Sequence, residues 1–413
     1  MVTINIDSNL NNNLLIIGAG EAGGRIAEEF HLQGFPHVVA LNTAKVDLDG
    51  LTNLSDDNKF LVNVTNGEGA GKDPKVVRNA IDMYYDDAVA FIKSKISGQD
   101  SALICVGGGG GTGGGLGIVL AEIVNNLGLN VGIIFTLPIK NEAPLVFVNA
   151  LQNLNELYEN VKTAAISPFI VVDNNELYQR YNSTVVNFWK PINGAIVQIV
   201  KNFNEYSKQT SKYISALDRK DLQKVLSVGG SCAIGSVDIL NVDTPDSIMD
   251  KIQNCFFMSG FDLSTFKSAG VIVTGSEETL NTSESAKFVN TVFDKVALLG
   301  GGMFFRGVYA EAGVKFLRLY VIFNGMVLPE ERISEMISEV NAGYAKIKSK
   351  EHRVDGVFFE VDKRIANAFG PSDNSGTKKI IRTPSQNTPN TPNQQTPTVR
   401  KPIDIPGVSR RGR

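Results

Sequence analysis

Short apolar runs alternate with amphipathic stretches through the first half of the chain. Runs that are apolar on both faces and end in turn residues are typical of buried parallel strands. Five such runs occur, at residues 14–20, 37–43, 102–108, 131–138 and 168–174. Stretches with one apolar helical face lie between them, most clearly at 74–96 and 117–128. This alternation predicts an α/β fold, with a doubly wound, Rossmann-like domain over residues 1–182.

The second half of the chain begins with a different pattern. Residues 183–206 predict one long helix, with Pro191 either in its first turn or at a kink. This helix and the loop after it form a central segment over residues 183–224, which is followed by a second α/β domain over 225–365. The strands of that domain are expected at 230–237, 268–275, 315–325 and 356–361, and its helices at 283–300 and 329–347.

The last part of the chain differs in composition and in charge. Residues 371–413 hold seven of the 15 prolines and few large apolar residues, so they cannot bury enough surface to fold alone. They carry three Lys and five Arg against two Asp, a net charge of +6, whereas the whole chain carries -3. We therefore predict a disordered basic tail over residues 366–413, attached to an acidic body.

Composition excludes several classes of protein. The three cysteines are isolated, and Cys105 lies in an apolar run, which predicts a reduced core residue. No apolar run approaches the ~18 residues of a membrane helix, and the first residues lack the pattern of a signal peptide. The three histidines, His31, His37 and His352, are scattered and predict no metal site. A cytoplasmic protein without direct membrane insertion is expected.

Each predicted strand of the first domain ends in a loop rich in small or polar residues, and these loops should meet at one edge of the sheet. The first loop contains G-x-G-x-x-G at Gly18, Gly20 and Gly23. A dinucleotide site also requires an acid at the end of the second strand, which ends instead in Asn42 and Thr43. Gly71 and Lys72 are followed by Asp73 rather than by Ser or Thr, so a Walker A loop is not favoured either.

The stretch VGGGGGTGGGLG, at residues 106–117, connects a predicted strand to a predicted helix. Glycines at this position allow backbone N–H groups to surround an anion, and the helix dipole adds to the attraction. Thr112 supplies the one hydroxyl of the stretch. A flexible linker would not lie between two elements of one domain, so the stretch predicts a phosphate-binding loop.

Residues 109–115, GGGTGGG, resemble the GGGTGTG loop of the tubulin/FtsZ superfamily, with Gly114 where a second Thr or Ser usually stands. Other loops match in order: GAGEAGGRI resembles the first phosphate loop, and GEGAGKDP resembles the loop facing the γ-phosphate. LPIKNEA places Glu142 at a ribose-contacting acid, and VVDNNELY places Asn174 at an Asn that contacts the ribose and base. On the long helix, Asn193 matches an Asn that binds guanine, and Trp189 lies where an aromatic flanks the base.

The resemblance implies a site for GTP or GDP, with Mg²⁺ held through phosphate and water. Two of its residues keep an alternative interpretation, since Asn193 could bond the local backbone and Trp189 could be a core residue. The implied nucleotide contacts are Gly20, Glu21, Ala22, Gly24, Asn42, Gly69, Ala70, Gly71, Gly109, Gly110, Gly111, Thr112, Gly113, Gly114, Glu142, Asn174, Trp189 and Asn193.

In this superfamily a loop after the long helix, with the pattern N-x-D-x-x-D/E, completes the site of the next subunit in a filament. The matching segment here is SALDRKDL, with Asp218 and Asp221 at the acidic positions and Ala216 in place of the Asn. The resemblance thus implies that Asp218 and Asp221 are catalytic in GTP hydrolysis. Their alternative interpretation is a helix cap and a first-turn acid.

The loops VVDNNELYQRY and LPIKNEA resemble the TubZ proteins of plasmids and phages more than FtsZ. This resemblance implies a GTP-hydrolysing protein that polymerises head to tail for DNA partition, with the basic tail binding a DNA-bound adaptor. The segment IDIPGV near the end resembles the tail peptide of FtsZ but lacks its Phe-Leu pair. An FtsZ-like division scaffold therefore remains an alternative, and a tail that is only a solvated linker and a homologue that does not polymerise also stay open.

Overall fold

The strands form one continuous sheet in the computed structural model. The structure describes residues 13–351 apart from 65, 181–187, 256 and 259. It describes side chains up to residue 345, except that of Arg180. Within these residues the strands are β1 (Leu14–Ala19), β2 (Val38–Asn42), β3 (Lys59–Leu61), β4 (Ser101–Gly107), β5 (Asn130–Leu137), β6 (Phe169–Asp173), β7 (Ser231–Ile239), β8 (Ser268–Gly275), β9 (Met303–Ala310) and β10 (Leu317–Met326). Their order across the sheet is β3-β2-β1-β4-β5-β6-β7-β10-β8-β9.

The helices occupy the segments between the strands, and two more elements are single 3₁₀ turns at Asp56–Asn58 and Leu263–Thr265. The α-helices of the described chain are α1 (Gly20–Leu32), α2 (Lys45–Asp49), α3 (Pro74–Ser94), α4 (Gly111–Asn126), α5 (Pro144–Lys162), α6 (Asn174–Arg180), α7 (Trp189–Tyr206), α8 (Arg219–Val225), α9 (Pro245–Gln253), α10 (Glu277–Leu280), α11 (Ser283–Leu298) and α12 (Glu330–Glu351). None of the described helices combines the length and apolar character that a bilayer crossing requires.

Strands β1 to β6 are parallel throughout, as the five buried runs predict. Both faces of these strands are covered, which explains why their apolar pattern is continuous rather than alternating. In β1, Leu15 and Ile17 pack with α3, α4 and α5 on one face, whereas Ile16 packs with α1 and α7 on the other. Cys105 is fully buried in β4, where burial raises the pKa of its thiol. The predicted doubly wound arrangement is confirmed.

The second α/β region joins the same sheet through a short contact. Strand β7 pairs in parallel with β6 over two positions, Phe169 with Ser231 and Ile170 with Cys232. Beyond it, β10 is antiparallel to both β7 and β8, and β9 is parallel to β8. The domain boundaries predicted from sequence stay predictions, because this continuous sheet does not mark them.

Two short or irregular strands escaped the sequence patterns. β3 has only three residues, and β9 carries Arg306 and Gly307 in its middle. The long helix is described from Trp189, with Pro191 in the first described turn. The predicted strand at 356–361 and the tail at 366–413 lie outside the described residues.

Helix α1 lies so close to β4 that one position of the helix must be glycine. A Cβ at Gly23 would lie 2.0 Å from the Cys105 carbonyl oxygen. We expect Gly23→Ala to lower the free energy of unfolding by about 1–3 kcal/mol, because the helix must shift from the sheet. Thermal denaturation measures the loss. Gly301→Ala is the control, since a Cβ there meets nothing within 4 Å; equal loss in both variants would contradict the prediction.

Candidate functional site

A cavity of about 540 Å³ lies at the carboxyl ends of the parallel strands. All but three of the predicted nucleotide contacts line it. They are Gly20, Glu21, Ala22, Gly69, Ala70, Gly71, Gly109, Gly110, Gly111, Thr112, Gly113, Glu142, Asn174, Trp189 and Asn193. A second cavity, of about 570 Å³, lies at the amino ends of β4 and β5, and none of the predicted contacts lines it.

Several helices point uncapped N-termini into the first cavity. No side chain caps α1, α2, α4 or α5, and residues from the N-cap or first turn of each line the cavity. By contrast, Asp, Thr or Ser side chains cap α3, α8, α9, α10 and α11, and none of these N-caps lines it. Uncapped first-turn N–H groups with a positive dipole end form an anion site.

The two glycine-rich helix starts meet at the floor of this cavity. Gly20 begins α1 with a φ of 72°, and a Cβ there would lie 2.8 Å from the Gly113 amide nitrogen. A Cβ at Gly113 would in turn lie 3.0 Å from the Gly107 carbonyl oxygen. Only residues without side chains fit this crossing, so the floor of the cavity is made of main chain.

The wall opposite α1 is a loop with an unusual backbone. Asn66 and Lys72 have φ values of 54° and 62°, and Gly67, Gly69 and Gly71 are also in the left-handed region. Non-glycine residues rarely adopt this conformation, and such strain concentrates at ligand sites. Gly69 to Lys72 line the cavity, and the contact of this loop with a γ-phosphate stays a prediction.

Buried asparagines on α5 hold the glycine loop from behind. The Asn153 side chain donates to the Gly108 carbonyl at 2.7 Å, and that of Asn149 donates to the Lys72 carbonyl at 2.7 Å. Arg78 donates to Asn153 at 2.8 Å and pairs with Glu156 at 2.6 Å. These bonds occupy loop carbonyl groups, so an anion in the cavity meets N–H groups rather than carbonyl oxygens.

Gly114 and Gly24 are packing positions rather than cavity-lining ones. A Cβ at Gly114 would lie 1.9 Å from Asn153 Nδ2, so the absence of a hydroxyl residue there is what admits Asn153. A Cβ at Gly24 would lie 3.1 Å from the Leu51 side chain. The structure therefore does not place these two predicted contacts at the cavity wall.

Asn42, the third exception, is buried behind the cavity wall and bonds to a residue that lines it. Its Nδ2 donates to Asp47 Oδ2 at 3.0 Å, and its Oδ1 accepts from the Ala44 amide at 3.1 Å. Asp47 does line the cavity, although sequence reasoning missed it.

The Thr112 hydroxyl lies 2.6 Å from that of Thr43, and this contact orients Thr112, the predicted phosphate donor.

A buried arginine from the last helix joins two loops of the cavity. Arg332 pairs with Asp173 at 3.1 Å and donates to the Pro138 carbonyl at 2.6 Å. Pro138 lines the cavity, and Asp173 directly precedes Asn174, which also lines it. Burial raises the pKa of Asp173, and the Arg332 guanidinium opposes that shift. No sequence motif pointed to Arg332, because Asp173 and Pro138 are more than 150 residues away in the chain.

Asp218 and Asp221 do not line the cavity of their own chain. Asp218 caps α8, and its Oδ1 accepts from the Asp221 amide at 2.8 Å. Asp221 is in the first turn, 3.7 Å from Lys224. The capping interpretation is thus confirmed, and a catalytic role toward a neighbouring subunit remains a prediction.

Among the described residues, no group of three or more His, Cys, Asp or Glu could hold a metal.

Residues 13–182 match the protein family described as "Tubulin/FtsZ family, GTPase domain". The chain is 26% identical to the tubulin-like protein CetZ of Pyrococcus abyssi over 362 residues, covering 82% of this chain and 92% of the relative. It is 27% identical to the cell division protein FtsZ 1 of Halobacterium salinarum, covering 70% of each chain.

Solved structures share the fold. A GTPγS-form protofilament of TubZ from Bacillus thuringiensis has a TM-score of 0.71 at 21% identity, over 84% of this chain and 97% of that one. An FtsZ dimer from M. jannaschii has a TM-score of 0.61 at 23% identity, over 76% and 88%. The relatives by sequence named above are CetZ and FtsZ proteins, so the TubZ grouping expected from sequence stays a prediction. Residues 13–182 are thus similar to the GTPase domain of the tubulin/FtsZ family, and the chain has a tubulin/FtsZ-like fold.

Proposed function

We propose that this chain binds GTP in the 540 Å³ cavity and polymerises head to tail into filaments that hydrolyse it. The observation that carries the proposal is the convergence of uncapped helix N-termini and glycine loops on this cavity. A triphosphate carries several negative charges, and four helix N-termini and the N–H groups of the glycine loop can bind it without side chains. GDP would keep most of the same contacts.

The remaining walls suit a nucleoside. Glu142 and Asn174 follow β5 and β6 and are assigned to the ribose, while Asn193 and Trp189 on α7 are assigned to guanine. The Phe188 and Trp189 rings meet edge to face at 4.8 Å, which fixes the indole beside the cavity. Bound Mg²⁺ would neutralise phosphate charge, and we assign it to phosphate and water, because no described cluster of side chains suits it.

Hydrolysis is assigned to two subunits acting together. The acids Asp218 and Asp221 lie outside their own cavity, so a neighbouring chain must bring them to a nucleotide. Carboxylates can orient a water molecule for attack on the γ-phosphate, and phosphoryl transfer depends mainly on such positioning. Protofilament structures of TubZ and CetZ among the relatives of this fold support head-to-tail assembly.

Two roles for the filament remain. DNA partition is favoured by the loops that resemble TubZ and by the net charge of +6 on residues 371–413, which suits an acidic DNA complex. A division scaffold is the second candidate, favoured by sequence relatives that include cell division FtsZ proteins. In either role we assign the filament to the cytoplasm.

Removing the Asn193 amide should weaken guanine nucleotides selectively. We expect Asn193→Ala to lower GTP affinity about tenfold, the cost of losing one or two buried hydrogen bonds, and to leave the weak binding of ATP unchanged. Isothermal titration calorimetry measures both. Gln198→Ala is the control, since Gln198 lies on the same helix and bonds Asn202 instead. Equal loss for GTP and ATP would contradict base recognition.

Asp218→Asn should separate assembly from hydrolysis. Asn preserves the helix cap but removes the charge, so filaments should pellet with GTP while turnover falls about 100-fold or more. Sedimentation and phosphate release measure the two quantities. Asp262→Asn is the control, because Asp262 caps the Ser264 amide in the same way at 3.0 Å, away from this loop. Absence of GTP-dependent pelleting in the unmodified protein would refute the proposed function, and normal turnover in Asp218→Asn would refute only the catalytic assignment.

Truncation before Pro371 should distinguish the two roles. If the tail binds a DNA-bound adaptor, its removal should abolish capture of adaptor–DNA complexes in pull-downs, with GTP-dependent pelleting unchanged. Capture by the full chain should also fall steeply with salt, since the contact is ionic. Capture of a membrane tether that depends only on residues 403–408 would instead favour the division scaffold.

A further inference from the structure

The loop that carries the predicted catalytic acids is held by the edge of the sheet. Among the described strands, β9 stands at the end of the sheet order, and the side of β9 away from β8 faces residues 211–217. The Val308 amide donates to the Ser215 carbonyl at 3.0 Å, and the Ser211 hydroxyl donates to the Val308 carbonyl at 2.6 Å. The loop thus bonds to an edge that would otherwise expose unpaired backbone groups.

Tyr309, the next residue of β9, makes the last contact before Asp218. Its hydroxyl accepts from the Leu217 amide at 2.9 Å and donates to the Leu217 carbonyl at 2.9 Å. One side chain therefore satisfies both backbone groups of a single buried residue. Tyr309 is 2% exposed and Leu217 is fully buried, so no water can replace these bonds.

The surroundings of Tyr309 keep its hydroxyl in the form that both bonds need. Burial raises the pKa of Tyr309, and the nearby charges of Asp218 and Asp221 raise it further. A Cβ at Gly307 would lie 2.9 Å from the Leu217 amide nitrogen, so this glycine lets the loop approach the strand. The tyrosine remains protonated and can donate and accept together.

The same ring contacts the end of the central helix. Tyr206, the last residue of α7, stacks on Tyr309 with ring centroids 5.0 Å apart and an interplanar angle of 28°. The first turns of α7 line the nucleotide cavity through Trp189 and Asn193. On the far side of the loop, Arg219 pairs with Asp100 just before β4.

We infer that Tyr309 is a positioning residue for GTP hydrolysis: its hydroxyl fixes Leu217 and so sets the direction in which Asp218 and Asp221 face the nucleotide of the next subunit. The inference rests on the proposed function. Tyr309 belongs to the second α/β region, so this region would take part in GTP hydrolysis, which none of the loop motifs predicts. Small displacements of a reacting group can cost about 100-fold in rate, so loss of one hydroxyl should be measurable.

Tyr309→Phe tests this inference, because it keeps the ring and the stacking but leaves the Leu217 backbone groups unpaired. Plots of GTP turnover against subunit concentration separate two quantities: the slope gives turnover per polymerised subunit, and the intercept gives the critical concentration. We expect the slope to fall about tenfold, while the intercept and the KM for GTP stay within about twofold. A slope equal to that of the control would overturn the inference.

Tyr320→Phe is the matched control. Tyr320 is also 2% exposed and lies in β10 of the same sheet, but its hydroxyl interacts with Arg318 rather than with the loop. Both variants lose a buried hydroxyl, so their melting temperatures should fall by similar amounts, whereas only Tyr309→Phe should lower the slope. A merely structural role for Tyr309 predicts parallel changes in both variants.

Amide hydrogen exchange of the unmodified protein gives a measurement that does not depend on the variant folding. The Leu217 amide should exchange far more slowly than the exposed loop amides around it, because it is bonded to Tyr309. Fast exchange at Leu217 would overturn the inference. Absence of GTP-dependent turnover in the unmodified protein would instead refute the proposed function, and the Leu217 measurement would still report whether the contact exists.

Discussion

The structure depends on a close crossing of main chain at the carboxyl edge of the sheet. Helices α1 and α4 both begin there, and Gly20 and Gly113 approach so closely that a single added Cβ would collide with backbone. This crossing requires glycine, and no side chain caps the two helices that begin there, so their first-turn amides are of the kind that attract anions. Close packing and a candidate anion site therefore come from one arrangement.

Support for that arrangement comes from residues that never touch the cavity. Asn149 and Asn153 occupy loop carbonyl groups, and Arg332 ties the ends of β5 and β6 together. Each of these side chains is buried, so losing one leaves polar groups without a partner and moves a loop as well. The layer behind the glycine loops is thus polar and hydrogen-bonded, whereas the glycine loops themselves present main chain to the cavity.

Local patterns predicted the parallel strands, the glycine loops and most of the residues that line the cavity. A stretch of a few consecutive residues is enough to show that a strand is buried or that a loop is rich in glycine. Sequence reasoning missed β9, Arg332 and the contact of Tyr309 with Leu217, because each involves segments that are distant in the chain. Tyr309 meets Leu217 across 92 residues, and Arg78 meets Asn153 across 75. Asn42 lies at the predicted edge of the sheet, but only the fold reveals that it bonds to Asp47 and does not itself line the cavity.

Gly114 has a consequence for how this sequence can change. The superfamily usually carries a hydroxyl residue at this position, but here a Cβ would lie 1.9 Å from the Asn153 amide. Restoring the hydroxyl alone would displace Asn153, which holds the Gly108 carbonyl and accepts from Arg78. A side chain at Gly114 and the present position of the Asn153 amide therefore exclude each other, so the glycine couples the helix that carries the loop to the helix that supports it.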